Sequence, residues 1–467
     1  MSNKNYVEEL ISELELPERI FIQIRSYLDE KNRRYIGLDD PQRAALFWDT
    51  QLANERRISI PQSPDCKFAV IIPVYNEKKE RVLDQIDSLR RQQGIGRELF
   101  EVIYVVNNPP VGNAAGYSEV LRRNAIVMGE LSRIRDLNVF VIDKSSMGNE
   151  IEGCNVGKAR NRGTAEACLR FFENNKNGVL IHTDADSVFD DVFYFKKLTS
   201  LLEEDSAIVG CAGSLVWKFD PDGGDAEIKN ELYKKTRYLM LRSKWHVLSS
   251  FLNGAKRMTN GSYKIQFYGG HMISKSYAAA VIGGFFDGNA LEDELFGLEL
   301  VQYGLDRGLK VIYTGHRLHL VTALRESTRT EGSIGRLYDE IELGKSVFVP
   351  DPLAPETFLQ FKERLTKIVF ADKFELEDLS SLLKDPQGNL IVSEQIFDDL
   401  VELFRPMKVV DAAKMKDFAF MTNILYYSIY PKVAITEEYY DKMVKMVAGQ
   451  PDGLELLDYI HFTTGNL

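Results

Sequence analysis

The sequence predicts an α/β fold: a mostly parallel sheet flanked by helices, with helical extensions at both ends. Three observations carry this. Four short, continuous apolar runs, Phe68–Ile72, Val102–Val106, Val139–Ile142 and Val179–Ile181, lie in the first half of the chain. A run without polar alternation suits a strand covered on both faces, as parallel strands are. Helical stretches near 79–93, 119–135 and 157–174 separate the runs, and strands alternating with helices build βαβ units. Each run also leads at once into polar, turn-prone residues, and ligands of such sheets bind beyond the carboxyl ends of the strands.

The flanks read differently. Over residues 1–60, Val7, Leu10, Ile11 and Leu14 form one apolar helical stripe. Pro17 interrupts that helix or begins the next. Asp40 and Pro41 read as the N-cap and first residue of a helix bearing Ala44, Ala45, Phe47 and Trp48. The segment Ile58–Pro64, with two prolines, reads as a linker. The α/β domain is expected over 66–335. A helical region follows over 340–467, where Phe358, Phe361, Leu365 and Ile368 form a stripe and Leu382 and Leu383 join another.

At 467 residues the chain has room for two or three domains. Its 44% hydrophobic and 27% charged residues match an ordinary globular protein. A net charge of -11 excludes non-specific binding to nucleic acid, which needs a basic face. It leaves room for a nucleotide, because a bound divalent cation neutralises a diphosphate locally. Cys66, Cys154, Cys168 and Cys211 form no CxxC pair and read as reduced thiols. Neither a secretory h-region nor an apolar run of about 20 residues is present, so the expected location is the cytoplasm and not within a membrane. The oligomeric state stays open.

The residues behind the fourth run are the centre of the functional reading. Asp184 and Asp186 flank Ala185 just after an apolar strand. In an extended turn both carboxylates can approach one hard cation, Mn2+ or Mg2+, with diphosphate oxygens and water completing its shell. Such a cation assists departure of a nucleoside diphosphate. A DxD triplet is also a common solvated turn, and its place after the fourth buried strand decides for the functional reading.

Other segments resemble the family 2 glycosyltransferases of the GT-A, Rossmann-like fold. Pro73-Val74-Tyr75-Asn76-Glu77 is similar to the P-x-Y-N-E loop that lies against the nucleotide base in that family. Gly153 to Gly163 is similar to its N-x-G-x-x-x-A-R-N-x-G segment, with Lys158 and Arg160 facing the donor. Gly269-Gly270-His271, Gly283-Gly284-Phe285-Phe286-Asp287 and Glu292-Asp293 follow its order of a Gly-rich acceptor-side strand, a turn and an E-D dipeptide. The resemblance makes Asp293 the general base, with Gly269, Gly270 and Glu292 on the acceptor side. His316-Arg317-Leu318-His319 occupies the place of a further metal or diphosphate contact, with His316 preferred for lying nearer the strand at Lys310–Tyr313. Arg325 and Arg329 belong to a run similar to T-x-x-R-x-x-x-R-x-x-x-G and are expected on the diphosphate. One departure stands out: where the family often has an aspartate that reads the base, this chain has Asn107 and Asn108. Pro73, Tyr75, Glu77 and Asn107 are expected around the base, and Asp184 near the ribose or the metal.

The resemblance implies transfer of a sugar from a nucleotide-diphosphate sugar to the hydroxyl of a sugar or small-molecule acceptor, with inversion, in cell-surface glycan or glycoside synthesis. A retaining transferase of the glucosyl- or mannosylglycerate synthase type shares the DxD logic. A non-catalytic partner of a polysaccharide assembly would keep the fold without metal-dependent donor binding. A nucleotidyltransferase needs a Gly-rich phosphate loop after the first strand, and residues 73–80 contain no glycine.

Overall fold

The computed structural model describes residues 18–108, 117–153, 155–219, 267, 269–288, 291–314, 317–324, 348–350, 432–434 and 437–449. The chain divides into two compact units. One holds Pro17–Arg237, Arg257–Asp339 and Asp458–Leu467; the other holds Met1–Leu16, Tyr238–Lys256 and Glu340–Leu457.

The first unit opens with α1 (Glu18–Tyr35) and α2 (Asp40–Leu52). The N-cap of α2 is Asp39, one residue before the expected Asp40. Its carboxylate accepts from the Gln42 backbone at 2.9 Å, and the Gln42 side chain accepts from the Asp39 backbone at 3.0 Å. That reciprocal pair is a capping box, which places Pro41 at the second helical position. The apolar runs then form β1 (Phe68–Val74), β2 (Phe100–Asn107), β3 (Val139–Lys144) and β4 (Val179–Thr183). Between them lie α3 (Lys79–Arg90), α4 (Tyr117–Leu131) and α5 (Val156–Glu173). Pro73 does not end β1. The ladder from β1 to β4 stops at Ile71, so a residue without an N–H is tolerated beyond it while β1 continues beside β2 to Val74. After β4 come β5 (Ser187–Val188), α6 (Tyr194–Glu204), β6 (Ile208–Ala212), β7 (Ser214–Phe219), β8 (His271–Lys275), α7 (Ser276–Val281), α8 (Glu292–Arg307), β9 (Lys310–Tyr313) and β10 (His319–Leu324).

Seven strands form the main sheet in the order β3-β2-β1-β4-β8-β6-β9. All run parallel except β8, which is antiparallel to both neighbours. The chain leaves β1 in one direction through β2 and β3, then returns to β1's other side as β4. That reversal opens a crevice at the carboxyl ends of β1 and β4. The inner strands bury both faces, as unbroken apolar runs require. Phe68, Val70, Ile72 and Val74 of β1 pack with Val82 and Ile86 of α3, Val127 of α4 and Phe195 of α6. Ala69 and Ile71 pack with Ala159 and Ala165 of α5 and Phe47 of α2. Helix α5 sits close to the sheet because of Gly163, where a Cβ would stand 2.6 Å from the Ile71 side chain and 3.1 Å from that of Val105.

A second sheet, β5-β10-β7, begins directly after Asp186. In the other unit, β11 (Phe348–Pro350) pairs antiparallel with β12 (Lys432–Ala434), and α9 (Glu437–Ala448) buries Met443 and Val447. The stripes read at 7–14, 358–368 and 382–383 lie outside the described residues. No described helix is long and apolar enough to cross a membrane. Cys66, Cys168 and Cys211 are buried free thiols, and Cys154 is outside the described residues.

The segment 58–64 is irregular but runs along α5. Arg170 donates to the Ile60 carbonyl at 2.7 Å and, at 2.8 Å, to Glu101 on β2, to which Gln62 also donates at 2.8 Å. Both charged side chains are 3% exposed. Breaking such a pair from one side leaves a buried charge uncompensated. Arg170→Met should therefore lower unfolding free energy in urea by about 3–5 kcal/mol, and adding Glu101→Leu should recover most of that loss.

Candidate active site

Sheet register brings distant segments to one edge. Thr183, the last residue of β4, pairs with His271, the first of β8. The Asp184–Asp186 turn therefore lies beside Gly269 and Gly270. Thr322 of β10 pairs with Ser187 of β5, and its hydroxyl reaches the Asp186 carboxylate at 3.4 Å.

Arg160 of α5 is 2% exposed and joins these segments. One terminal nitrogen donates to Glu292 at 2.5 Å; the other donates to Asp184 Oδ1 at 2.9 Å and to the Gly269 carbonyl at 2.9 Å. Its guanidinium lies 5.7 Å from the Phe285 ring centroid. Asn161, the next residue, pins the backbone of that turn: its amide donates to the Phe285 carbonyl at 2.8 Å and its oxygen accepts from the Phe285 N–H at 2.7 Å. Asp293 Oδ2 accepts from the Gly269 N–H at 2.6 Å, and Oδ1 accepts from the Glu294 N–H at 2.8 Å. Both dipeptide carboxylates sit in the first turn of α8, entered through Leu291 at φ 64°. That left-handed conformation costs a bulky residue about 1–3 kcal/mol and recurs at functional turns.

The electrostatics follow from one buried cation among three anions. Burial opposes the charge on Arg160, but Asp184, Glu292 and Asp293 outweigh it and hold the guanidinium protonated. Burial raises the Glu292 carboxyl well above the usual range, Asp293 raises it further, and Arg160 opposes both. Burial likewise raises Asp293 against the pull of Arg160 and two backbone N–H donors.

Asp184 is the carboxylate best placed to take a cation. Its side chain is 44% exposed. Gly270 leaves room for its second oxygen: a Cβ there would stand 3.3 Å from Oδ2. Among the described residues no group of three His, Cys, Asp or Glu side chains gathers to hold a metal ion. Asp184 and Asp186 offer hard oxygen atoms of the kind that suit a cation drawing its remaining ligands from phosphate and water. His316, Arg325 and Arg329 lie outside the described residues. His271 is fully buried: its Nδ1 donates to the Ser214 carbonyl at 2.9 Å, which leaves Nε2 to accept from the Tyr194 hydroxyl at 2.6 Å. Burial holds it neutral, pushed down to about 4.

The residues expected around the base occupy the neighbouring strand ends. Tyr75 is half-buried and Glu77 buried, 3.9 Å from Arg81. Asn107 is buried, and its amide donates to the carbonyls of Val74 and Val105 at 3.0 and 3.2 Å. Lys158 stands apart from the Arg160 cluster. Its ammonium donates to the Glu152 carbonyl at 2.7 Å and lies 3.4 Å from Asp287.

Two supporting side chains were not singled out from the sequence. Gln85 of α3, fully buried, donates to the carbonyls of Asp184 and Ser187 at 2.9 and 2.8 Å, and accepts from Tyr104 at 3.0 Å. It fixes the DxD turn from below. Asn124 of α4 plays a similar part at the other strand ends. Each had a readable signal: a polar residue within the buried stripe of its helix, Gln85 among Val82, Ile86 and Leu89, and Asn124 with Val127 and Leu131.

No protein-family model matches the sequence, and no curated protein matches it. Among solved structures, the chain is similar to the mannosyltransferase PcManGT from Pyrobaculum calidifontis in complex with GDP-Man and Mn2+ (TM-score 0.35, 14% identity, 82% of this chain and 94% of that one). It is also similar to residues 1–349 of S. aureus TarS in complex with UDP-GlcNAc (TM-score 0.37, 15% identity, 80% of this chain and 92% of that one).

Proposed function

We propose that this chain is a metal-dependent glycosyltransferase of the GT-A type. It moves a sugar from a nucleotide-diphosphate sugar to an acceptor hydroxyl with inversion, in glycan or glycoside synthesis. The observation that carries the reading is the meeting of Asp184, Arg160, Gly269 and the Glu292–Asp293 pair at the carboxyl end of β4, beside β8.

Asp184 and Asp186 would hold Mn2+ or Mg2+, which supplies positive charge to the leaving diphosphate. Pro73, Tyr75, Glu77 and Asn107 bound the nucleoside side of the crevice. Asp293 accepts the proton of the acceptor hydroxyl as its oxygen bonds to the anomeric carbon and the bond from that carbon to the diphosphate breaks. The two backbone N–H donors on its carboxylate hold it in one orientation. Arg160 holds Glu292 and Asp184 at a fixed separation, so the donor and acceptor sides are aligned before substrate arrives. A cytoplasmic location accords with donor chemistry built on activated nucleotides.

Removing the base tests the mechanism. Asp293→Asn should lower kcat by about 10²–10⁴-fold with donor affinity little changed, measured by turnover and by calorimetry with the donor; unaltered turnover rules out the assignment. Chelator should abolish activity, and Mn2+ or Mg2+ should restore it; full activity in chelator contradicts the metal role. The pH profile carries a sign. Asp293 must be ionised to accept a proton, and its carboxyl is raised, so activity falls as pH drops through a value above the ordinary aspartate figure of about 3.9. A kcat/KM that does not fall on acidification is incompatible with Asp293 as base.

A further inference from the structure

We propose that Asn124 is the positioning residue for the nucleoside end of the donor, an inference that rests on the donor reading above. Asn124 sits in α4 with no solvent exposure. Its side-chain oxygen accepts from the Asn76 N–H at 3.0 Å, in the loop after β1. Its amide nitrogen donates to the Asn107 carbonyl at 3.1 Å and to Asn108 Oδ1 at 3.2 Å, both at the end of β2. The same nitrogen stands 3.0 Å from the Ser145 hydroxyl, after β3, so its two N–H groups are shared among three acceptors. The Ser145 hydroxyl in turn donates to Asn108 Oδ1, and Asn108 donates to the Tyr117 hydroxyl at 3.3 Å.

One carboxamide thus ties together the loops after three adjacent strands. Asn76, Asn107, Asn108 and Ser145 stand at the carboxyl ends of β1, β2 and β3, on one side of the Asp184–Asp186 turn in the strand order. Asn76 takes φ 54°, a left-handed conformation that asparagine tolerates, and the bond from its N–H to Asn124 holds that turn. Asn124 itself bonds to backbone groups, an amide and a hydroxyl, and Ser145 is held in turn by the Asp143 carboxylate, which accepts from its N–H at 2.9 Å. Loosening this network should spread the nucleoside end while leaving the cation and diphosphate end in place. A buried polar group whose hydrogen bonds are all made fixes geometry in a way an apolar replacement of the same size does not.

The experiment is calorimetric titration of wild type, Asn124→Leu and Asn124→Asp with UDP plus Mn2+, GDP plus Mn2+ and inorganic pyrophosphate plus Mn2+. Pyrophosphate reads the diphosphate end alone. For Asn124→Leu we expect the affinity of whichever nucleoside diphosphate wild type binds to fall about tenfold or more, with that for pyrophosphate within about twofold. Asn124→Asp keeps the acceptor for Asn76 and loses the amide donors. It should show the same selective loss, and it decides the matter if Asn124→Leu does not fold. Unchanged nucleoside diphosphate affinity in the folded variants overturns the assignment and leaves the donor reading standing. A parallel loss of pyrophosphate affinity makes Asn124 merely structural and also overturns it. Failure of wild type to bind either nucleoside diphosphate overturns the donor reading and this inference together.

Discussion

The site depends on one buried guanidinium. Arg160 is committed to Glu292, Asp184 and the Gly269 carbonyl, groups drawn from α8, the turn after β4 and the approach to β8. A charge out of water is tolerable only when paired and hydrogen-bonded. Arg160 therefore constrains three segments at once, and each reaches its place through a different backbone device. Antiparallel register sets Gly269 beside Asp184, the Asn161 amide pins the Phe285 turn, and the left-handed Leu291 starts α8 at the angle that aims its carboxylates.

Polar groups hold this edge in two separate clusters. On the β4–β8 side the interactions are ionic, with the Asp184 and Glu292 carboxylates on one arginine and Asp293 beside them. On the β1–β2–β3 side amides and hydroxyls gather around Asn124, with the Asp143 carboxylate accepting from the Ser145 N–H. In the proposed reading the ionic cluster serves the diphosphate end of the donor and the Asn124 cluster its nucleoside end.

Much of the fold was legible before any coordinates. The four apolar runs became β1 to β4, each extended by two or three residues; in β4 the added His182 is buried between the rings of Phe285 and Phe296. Burial of a histidine in a strand has no local signature, so the run seemed to end at Ile181. The run Phe68–Ile72 stops short of Pro73, and proline removes a ladder bond, yet β1 continues past it because the ladder to β4 has already stopped at Ile71. The N-cap of α2 moved by one residue because Asp39 and Asp40 are both competent caps, and only Asp39 stands three residues before Gln42.

What the sequence by itself determined was periodicity and punctuation: which stretches pair into a sheet, which pack on it, and which polar residues fall at the strands' carboxyl ends. Those features are local, set by side-chain spacing and backbone preference. Only the tertiary structure decided which of those polar residues meet. Lys158 and Arg160 lie two apart in one segment, yet Arg160 turns inward to Glu292 while Lys158 turns outward to Glu152 and Asp287. That choice follows from the angular step of 200° between residues two apart on an α-helix of 3.6 residues per turn, together with the face that α5 presses against the sheet. The reversed strand β8, which carries Gly269 to Asp184, is likewise a matter of long-range pairing that no short stretch of residues encodes.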